Sequence, residues 1–179
     1  MKIAIIGYSG SGKSTLAEKL GKHYSLPVLH LDCVHWLPGW VERDRESELS
    51  AVGGFLEENA DWVIDGNYSR THYERRMAEA DAIIFMDFNR FTCLSRAVKR
   101  LKTYKGKTRA SITEGCDEKI DFEFFSWLVW KGRTKKRRRK FTDILEKYPE
   151  KTVVIKNQRE LTAFEERGFT LPRDGSTSA

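Results

Sequence analysis

Apolar residues along this chain form short clusters that alternate with longer stretches of helical periodicity. The helical stretches place apolar residues three and four positions apart, as in Leu16, Ala17 and Leu20. The clusters are rich in β-branched or aromatic residues and predict short buried strands at residues 3–6, 27–31, 62–64, 82–86 and 152–155. Strands that alternate with helices indicate a parallel sheet covered on both faces, with right-handed crossovers. The expected fold is therefore a three-layer α/β domain around a five-stranded parallel sheet.

Length and composition fit one such domain. The chain has 179 residues, and its 40% apolar content is enough to fill a substantial core. We expect a single domain over residues 1–168 and a frayed polar tail over 169–179. The N-terminus begins with the first predicted strand, and no apolar run approaches the roughly 20 residues that span a bilayer. We therefore expect a cytoplasmic protein with no membrane partner.

A phosphate-binding loop follows the first predicted strand. Residues 7–14 read Gly-Tyr-Ser-Gly-Ser-Gly-Lys-Ser, between an apolar strand and a helical pattern, as this motif requires. Glycine permits the backbone angles that curl consecutive amides around a polyphosphate at a helix N-terminus. Lys13 would reach the β and γ phosphates of a nucleotide, and the Ser14 hydroxyl would bind Mg²⁺. The predicted nucleotide-binding residues of this loop are Gly7, Ser9, Gly10, Ser11, Gly12, Lys13, Ser14 and Thr15.

Polar residues follow the other predicted strands, at the edge where a parallel sheet binds its ligand. Asp32, Asp65 and Asp87 each follow one strand, and Asn157 with Gln158 follows the last. A strand-terminal aspartate can equally be a helix cap or a turn residue.

A basic segment precedes the last strand: eight of the ten residues at 131–140 are Lys or Arg. Extending the apolar helical stripe backwards from Phe141 places Arg137 and Arg138 on its inward side, with Arg133 one turn earlier. Cations at these positions would project into the cleft mouth and pair with a nucleotide phosphate. A solvated helix surface and a nucleic-acid patch are the alternatives. The net charge of +6 does not choose between them, since nucleotides and nucleic acids are both polyanions.

Two further patterns concern the helices and the long loop. Arg96 and Arg100 share one helix face, where a bound triphosphate would relieve their mutual repulsion, although two solvated arginines remain the alternative. Gly53 and Gly54 interrupt the apolar stripe of a helix predicted at about 45–59 and indicate a weak, bent or mobile element. Residues 103–119 are typical of an exposed flexible loop, in which Arg109 could close over a phosphoryl group or stay in solvent.

Several motifs together resemble one known family. They are His30-Leu31-Asp32 and the segments Trp-Leu-Pro-Gly-Trp at 36–40, Trp-Val-Ile-Asp-Gly-Asn-Tyr at 62–68 and Tyr-Lys-Gly-Lys-Thr-Arg at 104–109. With the phosphate loop, they resemble the bacterial DNA topology-modulation proteins, which are adenylate-kinase-like P-loop proteins, over nearly the whole chain from residue 2 to about 164. The resemblance implies a P-loop NTPase fold with a helical and loop lid at about 103–138 and an acceptor-binding region at about 32–61.

The resemblance also implies an activity, namely Mg²⁺-dependent transfer of the ATP γ-phosphoryl group to a small acceptor. A nucleoside monophosphate is favoured as the acceptor, and a hydroxylated metabolite is the alternative within the same chemistry. Hydrolysis of ATP without an acceptor is a further alternative. A different class of function is an ATP-switched regulator that binds DNA through residues 131–140.

Residue roles follow from the same resemblance. Asp65-Gly66 followed by Arg70 is similar to the acceptor-phosphate motif of nucleotide kinases, with the arginine one residue later. Asp87, Arg96 and Arg100 have the spacing at which those kinases place arginines against ATP, and the backbone at Asn157 and Gln158 would hold the adenine. Asp32 resembles the aspartate that serves the metal or the acceptor in shikimate-type and gluconate-type kinases.

The predicted site is therefore divided into three sets. The catalytic set is Lys13, Asp32, Asp65, Arg96, Arg100 and Arg137. The acceptor-binding set is Asp32, Trp36, Arg43, Tyr68 and Arg70, although Trp36 and Trp40 could instead be core aromatics. The Mg²⁺ set is Ser14 directly and Asp65 through water.

Overall fold

The computed structural model describes residues 1–104, 111–116 and 121–172. Strands and helices alternate through the first half of the chain: β1 Lys2–Gly7, α1 Lys13–Tyr24, β2 Val28–His30, α2 Leu31–His35, β3 Trp36–Leu37, β4 Val41–Glu42, α3 Arg45–Glu58, β5 Trp62–Asp65, α4 Tyr73–Glu79 and β6 Ala82–Met86. The second half contains α5 Arg90–Thr103, α6 Phe122–Val129, α7 Lys135–Lys147, β7 Thr152–Ile155 and α8 Gln158–Glu166, with 3₁₀ turns at Lys131–Arg133 and Pro149–Lys151.

Five strands form one parallel sheet in the order β2-β5-β1-β6-β7. The predicted five-stranded parallel sheet is therefore confirmed. β1 lies at its centre, and the side chains of Ile3, Ile5 and Ile6 are at most 1% exposed because helices cover both faces. The remaining strands, β3 and β4, form a small antiparallel hairpin. The strand order brings the carboxyl ends of β2, β5 and β1 side by side, which is where the predicted site lies.

Helix α3 is continuous through Gly53 and Gly54. The side chain of Asp44 caps its start by accepting a hydrogen bond from the backbone N–H of Ser47 at 2.9 Å. Val52 and Leu56 are buried, so packing holds the helix where the two glycines lower its intrinsic propensity. The glycines do not break the helix, and its predicted weakness or mobility stays a prediction.

Part of the segment predicted as an exposed loop is packed. Ile112 and Cys116 are at most 5% exposed. The Thr113 hydroxyl donates a 3.1 Å hydrogen bond to the carbonyl oxygen of Cys33, and the Cys116 thiol donates one of 3.2 Å to that of Leu37. The prediction of an exposed loop is therefore wrong for Ser111, Ile112 and Cys116, which are buried, whereas Glu114 and Gly115 between them are exposed. Arg109 lies outside the described residues.

The packed part of the chain continues beyond residue 168. Leu171 is 3% exposed, and the carbonyl oxygen of Phe169 accepts a 3.0 Å hydrogen bond from the Tyr24 hydroxyl. Within the described part of the chain, no helix combines the length and the apolar character needed to cross a membrane.

Candidate active site

The phosphate loop has the backbone conformation that its sequence predicts. Gly7, Gly10 and Gly12 have φ values of +144°, +76° and +97°, a region that L side chains rarely adopt. A Cβ on Gly10 would also lie 2.6 Å from the carbonyl oxygen of Cys93, so glycine is required there for space as well as for conformation. Helix α1 begins at Lys13, within the loop motif, so the partial positive charge of its N-terminus lies at the loop.

Two donors at the loop fit nucleotide phosphates. The Ser11 hydroxyl is buried and has no hydrogen-bond partner among the described residues. A buried hydroxyl without a partner is costly, and a phosphate oxygen would satisfy it. The Lys13 ammonium donates a 3.1 Å hydrogen bond to the carbonyl oxygen of Tyr8, which keeps it beside the loop.

The predicted metal ligands lie together. The Ser14 hydroxyl donates a 2.8 Å hydrogen bond to Oδ2 of Asp65, although the two residues are 51 positions apart. Magnesium keeps several waters and is usually held by a few protein oxygens together with substrate phosphates, so this hydroxyl–carboxylate pair fits Mg²⁺. The described ranges contain no group of three or more His, Cys, Asp or Glu side chains that could hold a metal.

His30 belongs to this site, although it was predicted only as part of a motif. Its Nδ1 lies 2.5 Å from the second carboxylate oxygen of Asp65, because parallel pairing of β2 with β5 puts the two residues in register. Burial lowers the pKa of His30, but the hydrogen bond to Asp65 and the negative charges of Asp65, Glu18 and Asp32 outweigh it, so the pKa is raised overall. His30 therefore supports the carboxylate that lies on Ser14.

Asn67 is a second contact that the sequence prediction missed. Its side-chain oxygen accepts a 3.0 Å hydrogen bond from the backbone N–H of Gly7, and its amide nitrogen donates to the Gly7 carbonyl oxygen at 2.5 Å. This pair of bonds ties the loop after β5 to the phosphate loop. The neighbouring position of β5 and β1 in the sheet creates the contact, and the spacing along the chain does not reveal it.

Arg96 joins the phosphate loop to the start of α8. Its guanidinium donates to the carbonyl oxygen of Ser11 and, at 2.5 Å, to the side-chain oxygen of Gln158, and it lies 4.1 Å from the centre of the Phe88 ring. Burial lowers the pKa of Arg96. The structure therefore places the predicted residues Arg96 and Gln158 in contact with each other beside the loop.

Two other residues predicted near the nucleotide, Arg100 and Asn157, make different contacts. Arg100 lies 5.9 Å from the centre of the Phe124 ring, one helical turn beyond Arg96. The side-chain oxygen of Asn157 accepts a 3.0 Å hydrogen bond from the backbone N–H of Glu160 and so caps α8. Neither side chain is joined to Arg96 by a hydrogen bond within the described residues.

Two arginines of the basic segment lie beside the phosphate loop. Arg133 lies 3.7 Å from the centre of the Tyr8 ring and donates a 2.8 Å hydrogen bond to the carbonyl oxygen of Phe88. Arg137 lies 4.1 Å from the centre of the Trp127 ring, and the indole N–H of that tryptophan donates a 3.2 Å hydrogen bond to the Ser9 hydroxyl. Both arginines therefore lie on the phosphate-loop side, as predicted.

Arg138 is exposed, as is Arg137, and it lines a groove along α7 together with Lys135 and Arg139. The positive charge of Arg138 also acts on Tyr8 in the phosphate loop and on Asp87 at the end of β6, where it lowers the pKa of both groups against the effect of burial. Its predicted role at the mouth of the cleft stays a prediction. Helix α6, which contributes Trp127 to the loop, lies within the predicted lid region at about 103–138, but Trp127 itself was not predicted as a site residue.

On the acceptor side, Asp32 and Tyr68 form a pair. The Tyr68 hydroxyl donates a 2.8 Å hydrogen bond to Oδ1 of Asp32. Burial, followed by the charge of Asp32, raises the pKa of Tyr68, so this hydroxyl stays protonated. Asp32 is the second residue of the short helix α2 and not the last residue of a strand. Trp36 and Trp40 lie edge to face with ring centres 5.4 Å apart, and both are half-buried.

The two predicted acceptor arginines are already engaged. Arg43 donates a 2.7 Å hydrogen bond from Nε to the carbonyl oxygen of Val34. Arg70 binds both oxygens of Glu48, from Nε at 2.7 Å and from Nη2 at 3.0 Å. The hydrogen bond to Glu48 raises the pKa of Arg70. His35 also binds Glu48, and the His35 and Tyr68 rings lie 4.5 Å apart.

A fully buried arginine supports the loop that follows β5. Arg76 is 0% exposed and donates 2.8 Å hydrogen bonds to the carbonyl oxygens of Thr71 and Tyr68, with a longer one of 3.5 Å to that of Gly66. Burial lowers its pKa to about 10. Arg76 therefore holds the loop that carries Asn67, Tyr68 and Arg70.

The glycine-lined loop, the parallel sheet order and the Ser14–Asp65 pair define a protein with the kinase-like fold of P-loop NTPases. No protein-family model matches the chain, and no curated protein matches it by sequence.

Solved structures resemble it at low identity. One is deoxyadenosine kinase from M. mycoides with bound dATP, at 16% identity and a TM-score of 0.51, covering 93% of this chain and 98% of that one. Another is an uncharacterised protein from Eubacterium ventriosum, at 19% identity and a TM-score of 0.51, covering 93% and 96%. A gluconokinase from Sinorhizobium meliloti aligns at 14% identity and a TM-score of 0.48, covering 94% and 89%. The two similarities with a TM-score of 0.51 show the fold.

Proposed function

We propose that this protein is an ATP-dependent phosphotransferase that moves the γ-phosphoryl group of ATP to a small-molecule acceptor. The observation that carries the proposal is the 2.8 Å hydrogen bond between Ser14 and Asp65. It joins the phosphate loop to strand β5, whose other neighbour, β2, leads into the region of Asp32 and Tyr68. Asp65 therefore lies between the proposed phosphate-donor site at the loop and the proposed acceptor site beyond β2.

The residues around the loop supply positioning and charge. The loop amides, the Ser11 hydroxyl and Lys13 bind the phosphates of ATP. Ser14 and Asp65 would hold Mg²⁺, which when bound offsets part of the phosphate charge. Arg96 and Arg137 add positive charge beside the loop. Phosphoryl transfer needs little covalent help, so positioning and charge neutralisation are the contributions that this fold makes.

Two classes of acceptor are compatible with this chemistry. The resemblance to nucleotide kinases favours a nucleoside monophosphate, whose phosphate is already an anionic nucleophile and needs no general base. A hydroxylated acceptor benefits from a base, and Asp32 is the carboxylate on that side. The similarity to a structure described as deoxyadenosine kinase with bound dATP supports a nucleotide as the donor.

The proposal is tested with purified protein, Mg²⁺-ATP and a panel of nucleosides, nucleoside monophosphates and small hydroxylated metabolites. ADP is measured by a coupled assay, and the phosphorylated product is identified by mass spectrometry. We expect acceptor-dependent ADP formation that is lost in Lys13→Ala. Lys22→Ala, an exposed lysine on the same helix α1, is the matched control and keeps the activity. If no acceptor raises ADP formation above that of Lys13→Ala, the proposal fails.

The outer side of α7 favours one second candidate, an ATP-binding regulator that binds DNA. The exposed cations of α7 include Lys135, Lys136, Arg139 and Lys140. Affinity for duplex DNA would then fall steeply with salt, as measured by fluorescence anisotropy. It would survive Lys13→Ala and fall when these four residues are changed to Gln. DNA affinity that is absent, or unaffected by the fourfold change, excludes this candidate.

A further inference from the structure

The acceptor wall is the surface formed by the side chains of Asp32, Trp36, Arg43, Glu48, Tyr68 and Arg70. The guanidinium of Arg70 is already paired there. Arg70 donates to both oxygens of Glu48, at 2.7 and 3.0 Å, which is the two-pronged geometry in which an arginine would otherwise bind a phosphate. Glu42 lies 3.5 Å from the same guanidinium. The Nε and Nη2 donors, which form one edge of the Arg70 guanidinium, are therefore directed at carboxylates.

Releasing Arg70 would be costly because Glu48 cannot turn to solvent. The side chain of Glu48 is 0% exposed, whereas that of Arg70 is 36% exposed. A buried carboxylate that loses its ion-pair partner keeps the full cost of its desolvation. His35, which also binds Glu48, would be its remaining partner among the contacts described. A phosphate would thus have to compete with an interaction that the fold needs.

The other charges on this wall add to the barrier. The carboxylates of the described residues here are Asp32, Glu42, Glu48 and Asp65, against three arginines, Arg43, Arg70 and the buried Arg76. A monophosphate would add about two negative charges to this surface, and like charges at close range repel. A neutral hydroxyl meets no such cost, and it can donate a hydrogen bond to a carboxylate.

The wall also carries groups that suit a neutral, ring-bearing molecule. Trp36, Trp40 and the ring of His35 lie edge to face in one cluster, with ring centres 4.5 to 5.4 Å apart. Such half-buried aromatic side chains stack on flat rings. The Tyr68 hydroxyl orients Asp32 beside them.

Building on the proposed phosphotransferase function, we infer that the acceptor is a hydroxyl group of a molecule without a phosphate, such as a nucleoside. Its oxygen attacks the γ phosphorus of ATP, the bond from that phosphorus to the β–γ bridging oxygen breaks, and ADP leaves. The hydroxyl proton passes to the Asp32 carboxylate and then to solvent. Glu48 is the residue that excludes monophosphates, because it occupies Arg70.

The first test compares matched pairs that differ only in the phosphate: adenosine with AMP, guanosine with GMP, cytidine with CMP and thymidine with TMP. We expect kcat/KM for at least one nucleoside to exceed that of its monophosphate by about tenfold or more. A monophosphate that is the better substrate of its pair overturns the inference while leaving the phosphotransferase proposal intact. Absence of acceptor-dependent turnover with these pairs and with every compound of the wider panel contradicts the phosphotransferase proposal instead.

The second test measures binding and does not need turnover. Isothermal titration calorimetry of the same pairs is performed on protein loaded with Mg²⁺ and a non-hydrolysable ATP analogue. Glu48→Gln removes the charge that occupies Arg70, so we expect monophosphate affinity to rise about tenfold or more, with little change for nucleosides. Glu58→Gln, an exposed position on the same helix α3, is the matched control and leaves both affinities unchanged.

Glu42→Gln is a second variant, which tests the inference even if Glu48→Gln does not fold. Its side chain is 61% exposed, so the substitution is tolerated, and it removes the weaker contact to Arg70. We expect a smaller gain in monophosphate affinity, about twofold to threefold. If wild-type protein binds monophosphates more tightly than nucleosides, or if neither variant gains monophosphate affinity, the inference is wrong.

Discussion

Replacing the buried Arg76 tests how the acceptor wall is held. In Arg76→Met the side chain keeps much of its length and apolar contact but loses every donor. Two carbonyl oxygens, those of Thr71 and Tyr68, lose hydrogen bonds of 2.8 Å. A buried carbonyl left without a donor costs about 1–3 kcal/mol, so the two together cost about 2–6 kcal/mol.

Part of this loss is offset, because the substitution also removes a buried positive charge. Burial lowers the pKa of Arg76 to about 10, which shows that the charged form is disfavoured where it lies. We therefore expect the lower part of the range, a decrease in the free energy of unfolding of about 2–3 kcal/mol. For a domain of this size, that corresponds to a fall in Tm of about 4–12 °C.

Arg75→Met is the matched control, since it is the preceding residue on α4. Arg75 is 38% exposed and pairs with Glu79 at 2.6 Å and Glu57 at 3.9 Å. Exposed pairs of this kind contribute little, so we expect a Tm close to that of the wild type. Thermal unfolding followed by circular dichroism compares the three proteins. If Arg76→Met lowers Tm no more than Arg75→Met, the assigned support of the 66–71 loop is refuted.

Three further outcomes follow from the site. Gly10→Ala places a Cβ 2.6 Å from a backbone carbonyl oxygen at φ +76°, so we expect ATP affinity to fall by about tenfold or more. The new Cβ in Gly54→Ala has no atom within 4 Å, so this variant should stabilise α3 by up to about 1 kcal/mol and leave ATP affinity unchanged. Equal losses of ATP affinity in the two variants would contradict the steric argument. The pKa of His30, measured by NMR titration, should lie above 6.5 in wild type and fall in Asp65→Asn, where the charges of Glu18 and Asp32 remain but the carboxylate of Asp65 is lost. In wild type the stability that His30 contributes is full below pH 6.5 and lost as pH rises through the folded pKa, and an unchanged pKa in the variant would refute the pairing. Trp127→Phe removes the 3.2 Å hydrogen bond to the loop hydroxyl and should raise KM for ATP about threefold to tenfold, with a KM equal to wild type counting against a role for α6 at the loop.

The sequence alone determined the fold class and the position of the phosphate loop. Apolar clusters and helical periodicity are local properties, so they predicted all five strands of the parallel sheet, two of them, β6 and β7, with the bounds that the structure has. Loop chemistry is also local: the glycines need particular φ values, and Lys13 and Ser14 follow them at a spacing that the helix start requires. These features depend on neighbours a few residues away.

Tertiary structure decided the contacts that define the acceptor side. Whether Asp65 contacts His30, and whether Asn67 contacts Gly7, depends on the strand order β2-β5-β1, which alternating strands and helices leave open. The resemblance to nucleotide kinases presented Arg70 as an available cation. In the structure its guanidinium is paired with the carboxylate of Glu48, 22 positions away on helix α3. Folding brings these two residues together and buries the side chain of Glu48 completely. For that reason the sequence predicted the loop that binds the phosphoryl donor, and the packed wall suggests which acceptor the protein excludes.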